Sequence, residues 1–383
     1  MPPEAFDYLL IGGGLQNALI ALAVLKRDPD ARVCMVERGA KVGGNHLWCF
    51  HGFDLSERGQ ALVAPIVVRR WDGYSVRFPG LERRVDTPYA AVSSARLAEY
   101  VAEVFARRPR SRLILGRSAL SVEATSATLS DGETLHARVV IDARGPEAHA
   151  SEHIIGYQKF VGLELELERP IDLVDPIVMD ASVAQEDGFR FVYTLPLARY
   201  RVLVEDTYFA DGPELDLGLL RTRALAYAHR LGLAVAGISR EETGVLPLPA
   251  LAVATRPGSP WCAGYAGGWF HPTTGYSFPI AARLAAHVAS TTPETLFGDS
   301  YDSLAREHAR QQRYACLLNR LLFQAVPPEA RRNVLERFYK LPEPSIARFY
   351  ALSTTALDRA RILCGRPPRG LSLTRAFTKG LLQ

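Results

Sequence analysis

Apolar and polar positions in the first forty residues alternate between two kinds of pattern. Residues 7–11 are a short apolar run typical of a buried strand, residues 15–26 have helical periodicity, and residues 32–36 are a second apolar run that ends at Glu37. Three consecutive glycines separate the first strand from the helix: Gly12, Gly13 and Gly14. This order of strand, glycine turn, helix, strand and acid predicts a βαβ unit that binds a dinucleotide.

The glycine turn and the acid supply the binding chemistry of this unit. Glycines let the backbone approach a pyrophosphate, and the helix N-terminus offers free N–H groups and the positive end of its dipole. Glu37 stands where a carboxylate accepts hydrogen bonds from the adenosine ribose hydroxyls. Asn17 occupies the third glycine position of the motif. We therefore expect the helix to lie slightly farther from the strand than a third glycine would allow.

Three strand-like runs later in the chain predict a β-meander. They cover residues 112–115, 120–129 and 135–141, and Asp131-Gly132 is a hairpin signal between the last two. The last run leads into Asp142 and Gly145. A meander that returns to the central sheet in this way is typical of two-domain flavoproteins, so we expect the dinucleotide to be FAD.

A second glycine-rich turn precedes another predicted helix. Residues 261–264 lead through Gly267 and Gly268 to the segment 272–276, and residues 280–289 follow with a helical pattern. This turn is well placed to receive the ribityl and pyrimidine end of a flavin. The residues predicted to bind the cofactor are Gly12, Gly13, Gly14, Glu37, Gly44, Gly145, Gly264, Gly275 and Tyr276.

The remaining pattern predicts the domain organisation of an α/β protein. Strand-rich stretches at 63–78 and 160–246 indicate a second, substrate-covering sheet inserted into a Rossmann-type FAD-binding domain. The last third is helical, with breaks at Pro327-Pro328, Pro342, Pro344 and Pro367-Pro368. The predicted domains are 1–62, 88–155 and 255–299 for FAD, 63–87 and 156–254 for the substrate-binding sheet, and 300–383 for a helical, basic, membrane-facing region.

Composition excludes several classes of protein. The 383 residues are 48% hydrophobic and 22% charged, which is a globular mixture rather than that of a disordered chain. No apolar run approaches the ~20 residues of a membrane-spanning helix, and no cationic leader precedes the first apolar run. The five cysteines include no C-x-x-C pair, so we expect free thiols and no metal site. These features favour a cytoplasmic location.

Charge is concentrated at one end of the chain. Residues 300–383 contain thirteen Arg and two Lys against six acidic residues, although the whole chain carries only +4. Apolar clusters lie beside arginines at 317–323 and 346–350. Peripheral attachment to the inner membrane and a solvated helical face both fit this pattern, and the absence of a recognition motif argues against nucleic acid.

Several further segments resemble those of bacterial lycopene β-cyclases. The resemblance extends from about Asp7 to about Pro368. It is carried by residues 43–48 (GGNHLW), 176–181 (PIVMDA), 188–193 (GFRFVY), 204–208 (VEDTY), 267–276 (GGWFHPTTGY) and 337–339 (RFY).

This resemblance implies an activity and its requirements. Members of the family cyclise the ψ ends of lycopene, through γ-carotene, to β-carotene, with reduced FAD and no net redox change. NAD(P)H is then the expected electron donor. The resemblance also implies an acidic motif, which corresponds here to Glu205-Asp206-Thr207.

Cyclisation begins with protonation of an alkene, so the site needs a carboxyl that is neutral at pH 7. Burial in an apolar pocket raises a carboxyl pKa and keeps it protonated. We expect Glu205 to be the general acid. Asp206 is its predicted catalytic partner, although successive side chains of a strand point to opposite faces and orienting the backbone is its expected role.

Aromatic faces would stabilise the carbocation that follows. Trp269, Phe270 and Phe191 are the predicted substrate contacts, and Tyr276 is a further aromatic candidate. His46 and His271 flank glycine-rich turns, where each is a base, a flavin contact or a structural histidine.

Two other functions fit the same layout. The first is an FAD-dependent monooxygenase that uses NAD(P)H and O₂ on a small aromatic compound. The second is a protein that binds flavin or carotenoid without catalysis.

Overall fold

A computed structural model describes residues 5–145, 153–253 and 260–364. The strands in these residues are β1 Phe6–Ile11, β2 Val33–Glu37, β3 Leu47–His51, β4 Val67–Trp71, β5 Tyr74–Phe78, β6 Leu81–Val85, β7 Tyr89–Ser93, β8 Arg112–Leu115, β9 Ala119–Val122, β10 Ser126–Leu129, β11 Thr134–Asp142, β12 Ile154–Leu167, β13 Ile177–Asp180, β14 Phe189–Ala198, β15 Arg201–Ala210, β16 Val235–Pro249 and β17 Trp261–Cys262. The α-helices are α1 Leu15–Arg27, α2 Glu57–Val63, α3 Ser94–Ala106, α4 Leu217–Arg230, α5 Phe278–Ser290, α6 Asp299–Arg320, α7 Arg331–Phe338, α8 Glu343–Tyr350 and α9 Ala356–Leu363.

The first sheet contains the predicted βαβ unit. Its strand order is β8-β2-β1-β11-β10-β9, with β17 also paired to β11, and the strands from β8 to β11 are parallel. Helix α1 is buried along its whole apolar length and packs with α5 in one hydrophobic core. The predicted fold class, a Rossmann-type domain of the two-domain flavoprotein kind, is confirmed.

The predicted meander is correct for the pairing of β10 with β11, but the run 120–129, predicted as one strand, forms the two paired strands β9 and β10, and the placement of β8 is wrong. The first run forms a parallel strand beside β2, at the other edge of the sheet. The unpredicted helix α3 precedes β8, and a crossover helix brings the chain back in the parallel direction. The hairpin between β10 and β11 is confirmed, with Gly132 at φ +87° in its turn.

The second sheet has the order β16-β12-β15-β14-β13-β5-β6. Alternation along β14 and β15 sends one set of side chains towards helix α4, where Val192 and Val204 pack. The other set, including Phe191 and Leu203, faces the C-terminal helices. Helix α4 lies inside a stretch that the sequence predicted only as strands. The sheet therefore has a helix-covered outer face and an inner face.

A third, small sheet lies between these two layers. It consists of β3, β7 and β4, all antiparallel. We expected β4 in the second sheet because it belongs to the strand-rich stretch 63–78. It pairs instead with β7, whereas β5 and β6 do join the second sheet. The domain boundaries stay a prediction, and residues 1–4, 146–152, 254–259 and 365–383 within them lie outside the described residues.

The C-terminal helices complete the core on the inner face. Leu322, Phe323, Ile346 and Phe349 of the two Arg-flanked clusters are buried there, whereas Leu317, Leu318 and Leu321 are partly exposed. Pro342 directly precedes α8 and Pro344 lies in its first turn. The predicted break at Pro367-Pro368 lies outside the described residues. Among the helices that the structure describes, none is both long enough and apolar enough to cross a membrane.

Candidate functional site

The first glycine turn forms an open cradle at the start of α1. Gly12 has φ +90°, and a Cβ there would lie 2.8 Å from the Ala143 carbonyl oxygen, so only glycine fits. Gly14 is the N-cap of α1 without any side-chain cap, and a Cβ on it would meet nothing within 4 Å. The free N–H groups of the helix therefore face unfilled space, which is the arrangement that receives a pyrophosphate.

Glu37 and the loop after it close one side of this cradle. Its carboxylate accepts hydrogen bonds from Gly13 N–H and Gly39 N–H, both at 2.7 Å. Gly43 N–H donates to the Gly13 carbonyl at 2.8 Å, which brings the Gly43-Gly44 loop against the turn. A Cβ on Gly145, which has φ +26°, would likewise meet nothing within 4 Å. Glu37 thus orders the turn and still has lone pairs for ribose hydroxyls.

Asn17 replaces the missing third glycine by hydrogen bonding. Its buried side-chain amide donates to the carbonyl oxygens of Ile11, Gly12 and Ile141 at 3.0, 2.9 and 3.4 Å. These carbonyls belong to the end of β1, the turn and the neighbouring strand β11. The amide therefore ties the helix to the sheet by hydrogen bonds, where the glycine of the usual motif would do so by close packing.

Two buried amide oxygens beside the second glycine turn lack partners in the described structure. Gln16 Oε1 is one, and a Cβ on Gly264 would lie 3.6 Å from the Gln16 Cβ. Gln158 Oε1 is the other, 3.4 Å from a Cβ placed on Gly275. Buried polar atoms normally have partners. These orphaned acceptors, together with the open cradle, fit the hydroxyl and N–H donors of a bound FAD.

Between the small sheet and the inner face of the second sheet lies a set of side chains that are deep in the protein and yet keep some accessible surface. We infer from this combination that they border an interior cavity. They are Cys49, Tyr193, Glu205, Tyr276 and Tyr350. Two shallow surface clefts, of about 170 and 270 Å³, contain none of these residues. The candidate chemistry therefore belongs to the interior cavity.

Glu205 carries a proton in this cavity. Desolvation by burial and then the charge of Glu242 raise the pKa of the Glu205 carboxyl to about 8. Thr207 Oγ1 donates a hydrogen bond to Glu205 Oε1 at 2.8 Å and opposes part of that rise. The carboxyl is therefore mostly neutral at pH 7, as an acid catalyst requires.

Asp206 points to the opposite face, as the strand periodicity predicted. Arg190 binds its carboxylate through two nitrogens, at 2.8 and 3.1 Å, and the Tyr208 hydroxyl donates to it at 3.1 Å. Asp206 is completely buried under α4. Its carboxylate thus does not face the cavity; it fixes the strand, and its charge, after burial and the charge of Glu242, also raises the pKa of the Glu205 carboxyl.

The aromatic residues predicted to contact the substrate lie in two different parts of the structure. Phe191 lies on the inner face, and its ring packs 5.1 Å from the ring of Tyr193 beside Glu205. Trp269 instead stacks on His308 at 4.6 Å, and Phe270 stacks on Tyr265 at 4.1 Å. Neither Trp269 nor Phe270 shows a ring contact with the lining of the cavity among the described residues.

Sequence reasoning missed a buried cluster at the far end of the cavity. The His51 ring lies between 5.0 and 5.4 Å from the rings of Tyr74, Tyr89 and Tyr350. Its Nδ1 is 3.4 Å from Asp54 Oδ2, which also accepts from the hydroxyl of Tyr276 at 2.6 Å. The sequence contains His51, Asp54 and the tyrosines, but they are spread from position 51 to position 350, so no local pattern indicates that they meet.

The two histidines singled out from the sequence have different surroundings. His271 is buried, its Nε2 lies 2.9 Å from the Phe349 carbonyl oxygen, and Thr273 N–H donates to its Nδ1. Burial lowers the pKa of His271 to about 4, so it is a neutral structural residue. His46 is half exposed, and its Nδ1 lies 3.0 Å from Glu242 Oε1.

The chain is similar to known proteins over nearly its whole length. The family model described as lycopene cyclase protein matches residues 7–376. The chain is 40% identical to a lycopene beta-cyclase of Pantoea ananas over 95% of both chains. It is 42% identical to a lycopene beta-cyclase of Pseudescherichia vulneris over 94% of both chains.

Solved structures share the fold at low identity. A geranylgeranyl bacteriochlorophyll reductase-like protein of Thermoplasma acidophilum aligns over 98% of this chain and 99% of its own, with a TM-score of 0.65 and 13% identity. The p-nitrophenol 4-monooxygenase PnpA of Pseudomonas putida aligns over 95% and 99%, with a TM-score of 0.62 and 14% identity. The fold is therefore that of two-domain flavoproteins, and by its family match over nearly the whole sequence the chain belongs to the lycopene cyclase family.

Proposed function

We propose that this protein is a lycopene β-cyclase that starts ring closure with the proton of Glu205. The observation that carries the proposal is the buried Glu205 carboxyl, which is mostly neutral at pH 7 and lies among aromatic side chains. The chain that contains it belongs to the lycopene cyclase family. Lycopene converts to γ-carotene and then to β-carotene as first one ψ end and then the other is cyclised. The enzyme is then an intramolecular lyase, an isomerase without net redox change.

Each ring closure adds one proton to the substrate and removes another from it. The Glu205 carboxyl gives its proton to C2 of the terminal double bond, which leaves a tertiary cation at C1. The C5=C6 double bond attacks C1, the six-membered ring closes, and the cation moves to C5. Loss of the C6 proton to a base then forms the C5=C6 double bond of the β ring, and Glu205 takes up a proton before the next ring closure. Proton count and oxidation state are unchanged overall.

The residues of the cavity stabilise the intermediate cation. Tyr193 is the direct neighbour of Glu205 on β14, and Phe191 packs behind it on the same face. Burial raises the pKa of Tyr193 and of Tyr276 well above the usual range, so both rings stay neutral. A desolvated aromatic face contributes about 1–2 kcal/mol to a nearby cation. The cavity also excludes water, which would otherwise capture the cation.

FAD is the cofactor that the two glycine turns fit. The proposed contacts are Gly12, Gly13, Gly14 and Glu37 for the adenosine diphosphate, and Gly44, Gly145, Gly264, Gly275 and Tyr276 for the rest. When bound in its reduced form, FAD supplies a negative charge beside the cavity, which stabilises positive charge in the transition state. NAD(P)H is the proposed source of the electrons that keep it reduced.

The substrate places the enzyme at a membrane. Lycopene is a long hydrocarbon that dissolves in lipid and not in water, so one end at a time must leave the bilayer. We propose peripheral attachment to the inner membrane from the cytoplasmic side. The excess of basic residues in 300–383 supports this through attraction to anionic lipid headgroups.

The test is cyclisation without oxygen. Purified protein with pre-reduced FAD is incubated anaerobically with lycopene in liposomes, and the pigments and the remaining reduced flavin are quantified. The proposal expects many β rings per flavin with no loss of reduced flavin. In a parallel aerobic assay with NAD(P)H, stoichiometric consumption of NAD(P)H and O₂ would indicate a monooxygenase, and bound carotenoid without turnover in both assays would indicate a binding protein.

A further inference from the structure

Three neighbouring strands of the second sheet bring a second carboxyl close to Glu205. Gly162 on β12 pairs with Glu205 on β15 at one side and with Glu242 on β16 at the other. Residues directly opposite in antiparallel strands point to the same face, so both carboxyl side chains leave the inner face of the sheet. Two strand spacings separate their Cα atoms by about 10 Å.

The glycine between them allows the carboxyls to approach. A Cβ on Gly162 would lie 3.2 Å from Glu205 Oε2 and 3.4 Å from Glu205 Cγ. The Glu205 side chain therefore leans over Gly162, in the direction of Glu242. The backbone of Gly162 does not have a positive φ, so its conformation does not require glycine. The absence of a side chain at this position instead leaves space for the Glu205 carboxyl.

Glu242 is held in place from the other side. His46 Nδ1 lies 3.0 Å from its Oε1, and Leu47 N–H and Arg240 Nη1 each donate to its Oε2 at 3.0 Å. The Glu242 side chain is 6% exposed, whereas that of His46 is 49% exposed. Glu242 is thus a fixed carboxylate at the edge of the cavity, and His46 lies between it and solvent.

We propose that Glu242, held by His46, is a positioning residue for the catalytic acid: its fixed charge across Gly162 keeps the proton on Glu205 between turnovers. This inference rests on the proposed role of Glu205 as the proton donor. Two carboxyls that face one another across a single glycine disfavour a second negative charge. Glu242 touches neither the alkene nor the cofactor in this account and acts only through Glu205.

The other groups that face Glu205 do not replace this effect. Thr207 donates a hydrogen bond to it, and Tyr193 and Cys49 are kept neutral by burial, which raises the pKa of the Cys49 thiol to about 12. Asp206 lies on the opposite face with Arg190. The charge of Arg240 lowers the pKa of Glu205, against the effect of Glu242. The Arg240 guanidinium is shared with Glu164, because Arg240 Nε also donates to Glu164 Oε2 at 3.0 Å.

Infrared difference spectroscopy of the FAD-loaded protein tests the inference without measuring turnover. The C=O stretching band of a protonated carboxyl is followed during a pH titration, and the Glu205→Gln variant assigns the band. Glu242→Gln removes the neighbouring charge and keeps the shape. We expect the midpoint of the Glu205 band to fall by about one pH unit.

Glu241→Gln is the matched control. Glu241 is the next residue along β16 and pairs with Arg221, so its replacement should leave the midpoint and the cyclisation rate unchanged. A midpoint in Glu242→Gln equal to that of the unmodified protein would overturn the inference and leave the donor role of Glu205 standing. A protein whose carboxyl band is unaffected by Glu205→Gln would contradict the donor role itself.

Gly162→Ala gives a second test that changes no charge. Its methyl group would occupy the space over which the Glu205 carboxyl leans and would increase the separation of the two carboxyls. We expect the midpoint to fall in the same direction as in Glu242→Gln. An unchanged or higher midpoint in a folded Gly162→Ala protein would also overturn the inference.

Discussion

At the scale of single residues, the environment of Glu205 determines the chemistry. A glutamate in water is ionised at pH 7 and has no proton to give. Desolvation in the cavity and the charge of Glu242 hold the proton on Glu205. The adjacent residue, Asp206, meets the opposite environment because it faces α4 and is paired with Arg190. Two neighbouring acids therefore have different roles because of the face on which each lies.

This pKa predicts the pH dependence of the reaction. The active form is the protonated one, so the cyclisation rate should be constant below about pH 8, the pKa of Glu205, and fall about tenfold per unit above it. Initial rates of β-ring formation between pH 6 and pH 10, with the flavin kept reduced, measure the profile. A rate that rises with pH through this range would show that an ionised group is the active form.

The same shift predicts how stability depends on pH. The folded pKa of Glu205 lies above that of an unfolded glutamate, so its contribution to stability is complete at low pH and is lost as the pH rises from the unfolded value towards about 8. Urea unfolding should show the free energy of unfolding falling over this range relative to that of Glu205→Gln. Parallel curves for the two proteins would contradict the shift.

At the scale of structural elements, buried polar contacts fix the strands and helices that carry the site. Asn17 connects α1 to β1 and β11 through three carbonyls. Arg190 and Asp206 connect β14 to β15. Both contacts lie mainly in the interior, and each holds an element of the site itself: α1 with its first turn in one case, and β15 with Glu205 in the other.

Removing one partner of the buried ion pair should be costly. Asp206→Ala leaves the Arg190 guanidinium buried without its carboxylate, and such changes cost about 3–5 kcal/mol. Guanidinium unfolding should show this loss. The exposed pair of Arg310 and Glu307 provides a control, since Glu307→Ala should cost less than about 1 kcal/mol. A loss of less than about 1 kcal/mol for Asp206→Ala would contradict its structural role.

Asn17→Ala should weaken both the fold and the cofactor site. The substitution removes the side-chain donor to the Gly12 carbonyl and one of two donors to the Ile11 carbonyl, which keeps Ala143 N–H, and such a loss costs about 1–3 kcal/mol. Because the same contact sets the position of the first turn of α1, FAD should also bind more weakly. Thermal unfolding and fluorescence titration with FAD measure the two effects, and unchanged values for both would contradict the account.

The sequence predicted the elements of the site that depend on local pattern. The βαβ unit, the turn at Gly132 and the opposite directions of Glu205 and Asp206 all follow from residues close together in the chain. The placement of β8 was wrong because it depends on α3, which the pattern did not reveal. Glu242 could not be predicted as a neighbour of Glu205, because that requires the register of three strands that are far apart in the chain.

At the scale of the whole molecule, the C-terminal helices are part of the core of the second sheet. Their apolar clusters predicted a lipid-facing surface, but their largest side chains are buried against the inner face. The burial of these side chains does not change the net positive charge of residues 300–383. Any membrane contact therefore depends on charge and on exposed positions, and the apolar clusters serve folding.

Phe323→Ala and Leu357→Ala distinguish these two roles. Phe323 is buried, so its truncation should cost about 3–5 kcal/mol of stability. Leu357 is 58% exposed, and its truncation should change stability by less than about 0.5 kcal/mol. Chemical unfolding measures both. Sedimentation with anionic vesicles should show no loss of binding for Phe323→Ala at a temperature where the variant is folded.

The central claim is that the proton of Glu205 starts ring closure, and a single-turnover measurement on Glu205→Gln tests it most directly. FAD-loaded, pre-reduced protein is mixed anaerobically with lycopene in liposomes, and the rate constant of β-ring formation is compared with that of the unmodified protein and of Glu241→Gln. The account predicts a loss of about 10²–10⁴-fold for Glu205→Gln with FAD binding intact, and no loss for Glu241→Gln. A folded, FAD-bound Glu205→Gln protein that forms β rings within about twofold of the unmodified rate would contradict it.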